Sequence, residues 1–318
     1  MDRRAPSAWP SSWTTDLDMV HIFPHTFAKP LQTGDEVVTV AASSALDDDD
    51  LVIDGLKVLE SWGLVCRPHS VSNRYWGYLA GQDFIRLSEL HPKVHAPLLA
   101  FARGGWGAAR LLEYPQPWKK GWLLGFSDIT SIHLSRLSSG FDGGLHGPLL
   151  TSLAKEPIWS QDRLRSILFG RSIPDLFGEP WTDGIATGPL VITNLTVGSH
   201  LLGSRHMPNL KGAILILEDV GEAPYRIDRM LTQWRLAGLL QGLAGLGFGK
   251  FTGCDVPEDE PTQKTFNTQE VLIERSKDLK IPVIGNLPIG HCNGNAALPQ
   301  GRQATLNGKK GSLSLLSS

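Results

Sequence analysis

Leu123-Leu124-Gly125-Phe126-Ser127-Asp128-Ile129-Thr130 carries an apolar run straight into a Gly-x-Ser-Asp turn, with helix-compatible sequence following to residue 137. Such a run reads as a buried strand, which puts Ser127 at a strand-to-helix turn. A hydroxyl there projects beyond the end of a sheet, where a ligand can reach it. The helix start behind it offers unpaired N–H groups and a positive dipole end, both suited to a developing negative charge. A serine in this place also reads as a plain helix N-cap, and the stretch alone leaves both readings open.

Working outward, the pattern alternates. Residues 36–42 (EVVTVAA) form a β-branched strand, and Leu51, Ile53, Leu56, Val58, Leu59 and Trp62 supply a helical stripe stopped by Gly63. Residues 64–66 give a second strand, so a parallel βαβ unit opens the fold. The four aspartates Asp47 to Asp50 load the N-terminus of that helix with favourable charge. A helix over 83–90 stopped by His91-Pro92, a strand over 97–101, a helix starting at Ala108 and a strand over 122–126 continue the alternation. Residues 145–149 close this half. The expectation is an α/β fold whose N-terminal domain is a doubly wound parallel sheet of the Rossmann or flavodoxin-like kind. Ligands of such sheets sit beyond the C-terminal strand ends, where both Ser127 and the run Arg103-Gly104-Gly105-Trp106-Gly107 fall.

The second half reads as a smaller, β-rich α/β domain. Residues 187–203 suggest strands and turns, 212–217 a strong strand ending on Glu218-Asp219, and 224–240 an amphipathic helix. A helix-like run over 268–279, a strand over 283–285 and a hairpin through 304–315 complete it. The expected divisions are a lead-in over 1–33, a first domain over 34–165, a connection over 166–186 and a second domain over 187–318. Pro157, Pro174, Pro180 and Gly184 mark the change of character around the connection.

Composition narrows the function classes. A chain of 318 residues with 41% hydrophobic and 19% charged residues is an ordinary globular protein, and a formal charge of −2 carries no footprint for nucleic acid or anionic membrane. Arg3 and Arg4 precede no apolar segment of the secretory kind, and no later stretch is long enough to span a bilayer. The expectation is a cytoplasmic protein. The three cysteines, Cys66, Cys254 and Cys292, form no C-x-x-C pair, against both a disulfide framework and a thiolate zinc site. His21 and His25 are separated by Pro24, which disfavours a helical metal pair.

Three residue types that can act together stand where strands end: Ser127, Glu218 and His291. A neutral hydroxyl needs an imidazole to take its proton, and the imidazole needs a carboxylate to hold its tautomer. Gly290 before His291 and Asn293-Gly294-Asn295 after it make a tight loop. Glu218 has an alternative as an ion-pair partner of Arg226 or Arg229, and Asp219 and Glu222 are rival carboxylates. Cys292 is a conceivable thiol nucleophile, read equally as buried filler. The glycine run lacks G-x-G-x-x-G and the P-loop lysine; its backbone N–H groups suit either an oxyanion or a plain turn.

Four ordered motifs carry a family resemblance. Arg103-Gly104-Gly105-Trp106-Gly107-Ala108-Ala109-Arg110-Leu111-Leu112 resembles the R-G-G-Y-G-x-x-R-L-L signature of the LD-carboxypeptidase family of serine peptidases. Gly125-Phe126-Ser127-Asp128-Ile129-Thr130 is similar to its nucleophile turn, although Ile129 stands where the G-x-S-x-G elbow of other serine hydrolases has glycine. Leu217-Glu218-Asp219-Val220-Gly221-Glu222 with Tyr225-Arg226-Ile227-Asp228-Arg229 resembles its glutamate strand and helix, and Gly290-His291 its histidine loop. The similarity runs from about Gly34 to Thr305.

The resemblance implies Ser127 as nucleophile, His291 as general base then acid, Glu218 as its orienting carboxylate, and the N–H groups of Gly105 and Asp128 as oxyanion hole. It implies a metal-free, cofactor-free homodimer that releases the terminal D-alanine of murein tetrapeptides during cell-wall recycling. Trp106 replaces the commoner tyrosine; with Arg103 and Arg226 it is a candidate substrate contact. The family also holds microcin self-immunity proteins, which cleave peptidyl-nucleotide amides. A non-catalytic Rossmann-like binder of a small ligand is the reading from another class, and an α/β-hydrolase esterase a third, disfavoured by the two-domain layout.

Overall fold

The computed structural model describes residues 28–67, 69–255 and 265–316. The readings made on Arg3, Arg4, His21 and His25, and on most of the lead-in, lie outside the described residues.

The first half alternates as expected: β1 (Glu36–Val40), α1 (Asp50–Ser61), β2 (Val65–Cys66), α2 (Asp83–Leu90), β3 (Leu98–Phe101), β4 (Trp122–Gly125), α3 (Thr130–Ser138) and β5 (Gly144–His146). The strands lie in the order β5-β4-β3-β1-β2, all parallel. Helix α1 buries Val52, Gly55 and Leu59, and ends at Gly63, whose φ of 90° only glycine adopts freely. The helix expected from Ala108 is a five-residue 3₁₀ turn, Ala109–Glu113. Pro115 stops it, because the residue before a proline avoids the α conformation. Two short helices, α4 (Leu150–Leu153) and α5 (Ile158–Leu168), follow.

The second half contains β6 (Leu176–Phe177), β7 (Glu179–Thr182), β8 (Ile185–Asn194), α6 (Leu195–His200), β9 (Ile214–Val220), α7 (Pro224–Leu236), β10 (Gly245–Thr252), α8 (Thr268–Ser276), β11 (Val283–Gly285), β12 (Leu298–Pro299), β13 (Gln303–Asn307) and β14 (Ser312–Leu315). Eight of these strands make one mixed sheet in the order β6-β14-β13-β8-β9-β10-β11-β7, with β8 to β11 parallel. Its two edge strands are consecutive in the chain, separated by Gly178 alone, so the sheet curls almost into a barrel. The expected hairpin is β13–β14. Strand β12 leaves this half and pairs antiparallel with β5, adding a sixth strand to the first sheet.

Two second-half elements depart from the sequence pattern. The strand-and-turn reading of 187–203 holds only to Asn194; a short helix follows. Thr196, Val197 and Gly198 are weak helix formers, but the Asn194 side chain caps the helix by accepting from Val197 N–H at 3.0 Å. Strand β10 carries glycines at 245, 247 and 249. A Cβ on Gly247 would meet Ile216 at 2.5 Å, and one on Gly249 would meet the Ile289 carbonyl at 2.5 Å, so close approach requires them.

One apolar cluster joins the two halves, with Ile129, Ile132 and Leu134 packed among Leu195, Leu217, Ile227 and Trp234. Helix α3 is buried from Thr130 to Leu137. Burial on that scale fixes the Ser127 turn against the glutamate strand. No described helix is long and apolar enough to cross a membrane.

Candidate active site

Ser127 follows β4 and opens a 3₁₀ turn, Ser127–Ile129, that runs into α3. Its φ is 64°, left-handed backbone that costs a residue with a Cβ about 1–2 kcal/mol. The chain is held in that shape from both sides. A Cβ on Gly125 would meet Ile129 and Phe101 at 3.2 Å, so the tight approach falls at the first glycine and Ile129 is core filling. His133 Nε2 donates to the Gly125 carbonyl at 2.9 Å, and burial pushes this imidazole down to about 3, keeping it neutral.

Asp128 contributes more than a backbone N–H. Its buried Oδ2 accepts from Ser43 Oγ at 2.6 Å and from Ala108 N–H at 2.8 Å. The turn is thereby tied to the end of β1 and to the glycine loop after β3. Burial holds this carboxyl above the usual range, against those hydrogen bonds. The loop lies flat on the serine: a Cβ on Gly104 would stand 3.0 Å from both Ser127 Cβ and Oγ. Gly105 has a φ of 108°, and Trp106 N–H donates to Ser44 Oγ at 3.2 Å. The fully buried Arg86 holds the far end of the loop, donating to the Gly107 carbonyl at 2.9 Å while paired with Asp83.

His291 reaches the same place from the loop after β11. Its Nε2 lies 3.1 Å from Ser127 Oγ, and its Nδ1 lies 2.9 Å from Glu218 Oε2. An ionised carboxylate only accepts, so the imidazole carries its proton on Nδ1 and presents a lone pair to the serine O–H. The ring leans on Phe126, with centroids 4.7 Å apart, and its side chain is 23% exposed. Thr252 Oγ1 donates to the His291 carbonyl at 2.6 Å. Gly294 and Asn295 N–H both donate to Glu156 Oε2, at 3.1 and 3.0 Å, anchoring the loop to the first half of the chain.

Glu218 is completely buried on β9. The rivals are occupied elsewhere. Asp219 accepts from Asn194 Nδ2, Thr196 N–H and Thr196 Oγ1, all within the base of α6. Glu222 pairs with Arg226 at 3.5 Å on the surface. Cys292 is pushed up to about 11 by burial, which leaves it a neutral thiol and a poor nucleophile. All three cysteines are free.

The candidate substrate contacts are less uniform. Arg103 Nη1 donates to the Ala45 carbonyl at 2.9 Å, and Trp106 is 59% exposed in an edge-to-face contact with Tyr78. Arg226 is engaged with Glu222 and the Tyr225 hydroxyl. Sequence reasoning missed the anchors: the Asp128 carboxylate, His133, Glu156 and Arg86. Each acts across a long separation in the chain or from inside a helix, where no local motif marks it. Among the described residues no group of three His, Cys, Asp or Glu side chains converges as a metal site would need.

Comparison with known proteins identifies the family of the chain. Residues 37–147 match the model of an LD-carboxypeptidase N-terminal domain, and residues 187–306 that of an LD-carboxypeptidase C-terminal domain. A Synechocystis sp. protein provisionally named a carboxypeptidase is 44% identical over 90% of this chain and 96% of its own length. The murein tetrapeptide carboxypeptidase of Pseudomonas aeruginosa is 30% identical over 86% of this chain and 94% of its own. Among solved structures, the microcin C7 self-immunity protein MccF superimposes with a TM-score of 0.78 over 92% of this chain and 98% of its own, at 18% identity, a likeness of fold.

Proposed function

The chain belongs to the LD-carboxypeptidase family, and from that premise we propose that it is a serine peptidase removing the terminal D-alanine of murein tetrapeptides. The observation that carries the reading is the unbroken line Ser127 Oγ, His291 Nε2, His291 Nδ1, Glu218 Oε2, with spacings of 3.1 and 2.9 Å. The name of the Pseudomonas relative supports the substrate class.

In this mechanism Ser127 Oγ attacks the carbonyl of the L,D-peptide bond as His291 takes its proton. Glu218 holds the imidazole in the needed tautomer and balances the imidazolium. The backbone N–H groups of Gly105 and Asp128 receive the oxyanion, aided by the positive end of α3. Collapse of the tetrahedral intermediate breaks the C–N bond, and His291 returns the proton to the departing D-alanine amine. Water, deprotonated by the same imidazole, then cleaves the acyl ester and restores the serine. The Ser127 φ of 64° aims the hydroxyl at the imidazole rather than into the helix.

Recognition of a free C-terminus calls for a cation, and Arg103 and Arg226 are assigned to it, with Trp106 as a further substrate contact. The reading includes a metal-independent reaction in a cytoplasmic, homodimeric enzyme of cell-wall recycling. The division into a nucleophile domain over 34–165 and a glutamate and histidine domain over 187–318 belongs to it too.

A second reading, an amidase of peptidyl-nucleotide conjugates, is favoured by the extent of the fold shared with MccF. Incubation of the protein with a murein tetrapeptide and with a peptidyl-nucleotide amide, followed by mass spectrometry, separates the two. Faster release of D-alanine supports the first reading, and faster cleavage of the nucleotide amide replaces it with the second. Turnover of neither, with binding of either, favours a non-catalytic binder.

A further inference from the structure

Behind the Glu218–His291 pair lie buried polar groups that the mechanism leaves unused. Glu218 Oε1, both ring nitrogens of His146 and Asn295 Nδ2 make no hydrogen bond of ordinary geometry among the described residues, although the Asn295 side chain lies close enough to His146 to interact with its ring. His146 is fully buried at the end of β5, between Gly125 on β4 and Leu298 on β12. Phe126 contacts both imidazoles, its ring 5.5 Å from that of His146 and 4.7 Å from that of His291. Asn295 is oriented by its Oδ1, which accepts from Gly290 N–H at 2.9 Å and so turns Nδ2 the other way.

These unused groups complement one another. A carboxylate oxygen only accepts, an amide nitrogen only donates, and a neutral imidazole does one of each. Leaving such groups unpaired in a fully buried place would cost far more than pairing them. We propose that His146 is a positioning residue for the general base, donating one ring N–H to Glu218 Oε1 and accepting from Asn295 Nδ2, directly or through a single water. A relay from Asn295 to Ser127 then fixes the carboxylate at both oxygens, and with it the plane of His291.

Burial lowers His146 to about 4, with nearby Glu218 and the Asn295 side chain working against the shift and His291 with it, so the ring stays neutral and keeps both functions at working pH. The titratable groups whose charge reaches it are His133 on α3, Glu218 on β9 and His291. This inference rests on the triad reading above, and its tests separate the two.

The experiment compares His146→Phe, which keeps a ring and loses both nitrogens, with His146→Gln, which keeps a donor and an acceptor. With murein tetrapeptide as probe, the phenylalanine variant should lose kcat about ten- to a hundredfold, by analogy with the loss of a hydrogen-bond partner behind a metal-bound histidine, with KM unchanged. The acid limb of its kcat/KM profile should move to higher pH, because an unsupported buried carboxylate makes the Glu218–His291 pair hold its proton longer. The glutamine variant should recover most of both. A folded phenylalanine variant with wild-type kcat and an unmoved limb overturns the proposal.

Should that variant fail to fold, ¹⁵N-imidazole NMR of the otherwise intact protein decides. A neutral His146 whose ring shifts respond to Glu218→Gln supports the relay, and shifts indifferent to Glu218→Gln overturn it. Wild type without peptidase activity would remove the proposed function, while the NMR coupling would still decide this inference.

Discussion

Gly290 and Glu218 meet so closely that a Cβ on the glycine would fall 2.7 Å from Glu218 Oε2, the oxygen that holds His291. The glycine immediately before the histidine is therefore part of the geometry of the Ser127–His291–Glu218 line, leaving the space the carboxylate occupies. Its φ of 110° adds a second reason, since residues with a Cβ rarely adopt it.

Gly290→Ala should consequently cost activity and stability together. The displaced carboxylate releases the imidazole, for a loss of roughly a hundredfold or more in kcat, and the strained backbone destabilises by about 1–3 kcal/mol. Steady-state kinetics and urea unfolding check it. Gly104→Ala is the milder counterpart. Its Cβ would sit 3.0 Å from Ser127 Oγ, so kcat should fall with little change in unfolding midpoint.

Ser127 stores strain that its replacement can release. Ser127→Ala keeps a Cβ at a φ of 64° and should leave stability nearly unchanged, whereas Ser127→Gly should gain about 1 kcal/mol. Both should be inactive, down by at least about a thousandfold in kcat. Equal unfolding midpoints for the glycine and alanine variants would remove strain from the account.

The three neighbouring carboxylates should separate by role. Glu218→Gln should lower kcat by about 10²–10⁴ with modest loss of stability, by comparison with other triad carboxylates. Asp219→Asn disturbs the acceptor of three hydrogen bonds at the base of α6 and should act mainly on stability. Glu222→Gln breaks a surface pair with Arg226 and should shift stability by less than about 1 kcal/mol. Stability comes from thermal melts, activity from D-alanine release.

Acid should destabilise the fold through its buried histidines. Burial lowers His133 to about 3 and His146 to about 4, below the ordinary 6.5, so the unfolded chain binds protons that the native state refuses. Stability therefore falls as pH drops below about 6.5, by up to about 1.4 kcal/mol per pH unit for each ring, until the native values are reached. Asp128, Asp142 and Asp219, held above the usual carboxylate range by burial, oppose this lower down, because their native forms take a proton first. Denaturant titrations of wild type and His133→Asn at a series of pH values test the sign. The variant should show the shallower loss between pH 6.5 and 5.

Much of this could be read from the chain itself because local chemistry agreed with the fold. The β1–α1–β2 crossover, the stop at His91-Pro92 and the serine turn all combine periodicity with a breaker residue. Glu218 and His291 were legible as residues at strand ends, and the ordered motifs gave them roles. The short helix α6 and the glycine-spaced strand β10 were not, since tertiary packing outweighs propensity in both. Glu156, His133, His146 and the carboxylate of Asp128 were invisible for a different reason. Their partners lie on other elements, and only the assembled sheet ends bring them together.

The central claim is that Ser127 becomes acylated by a murein peptide. Rapid-quench mass spectrometry of the protein mixed with a murein tetrapeptide measures it most directly, with D-alanine followed in parallel and chelator present or absent. The account predicts D-alanine release unaffected by chelator and a transient tripeptidyl adduct on the fragment containing Ser127, both lost in Ser127→Ala. D-alanine release that persists in Ser127→Ala, or that chelator abolishes, would contradict it.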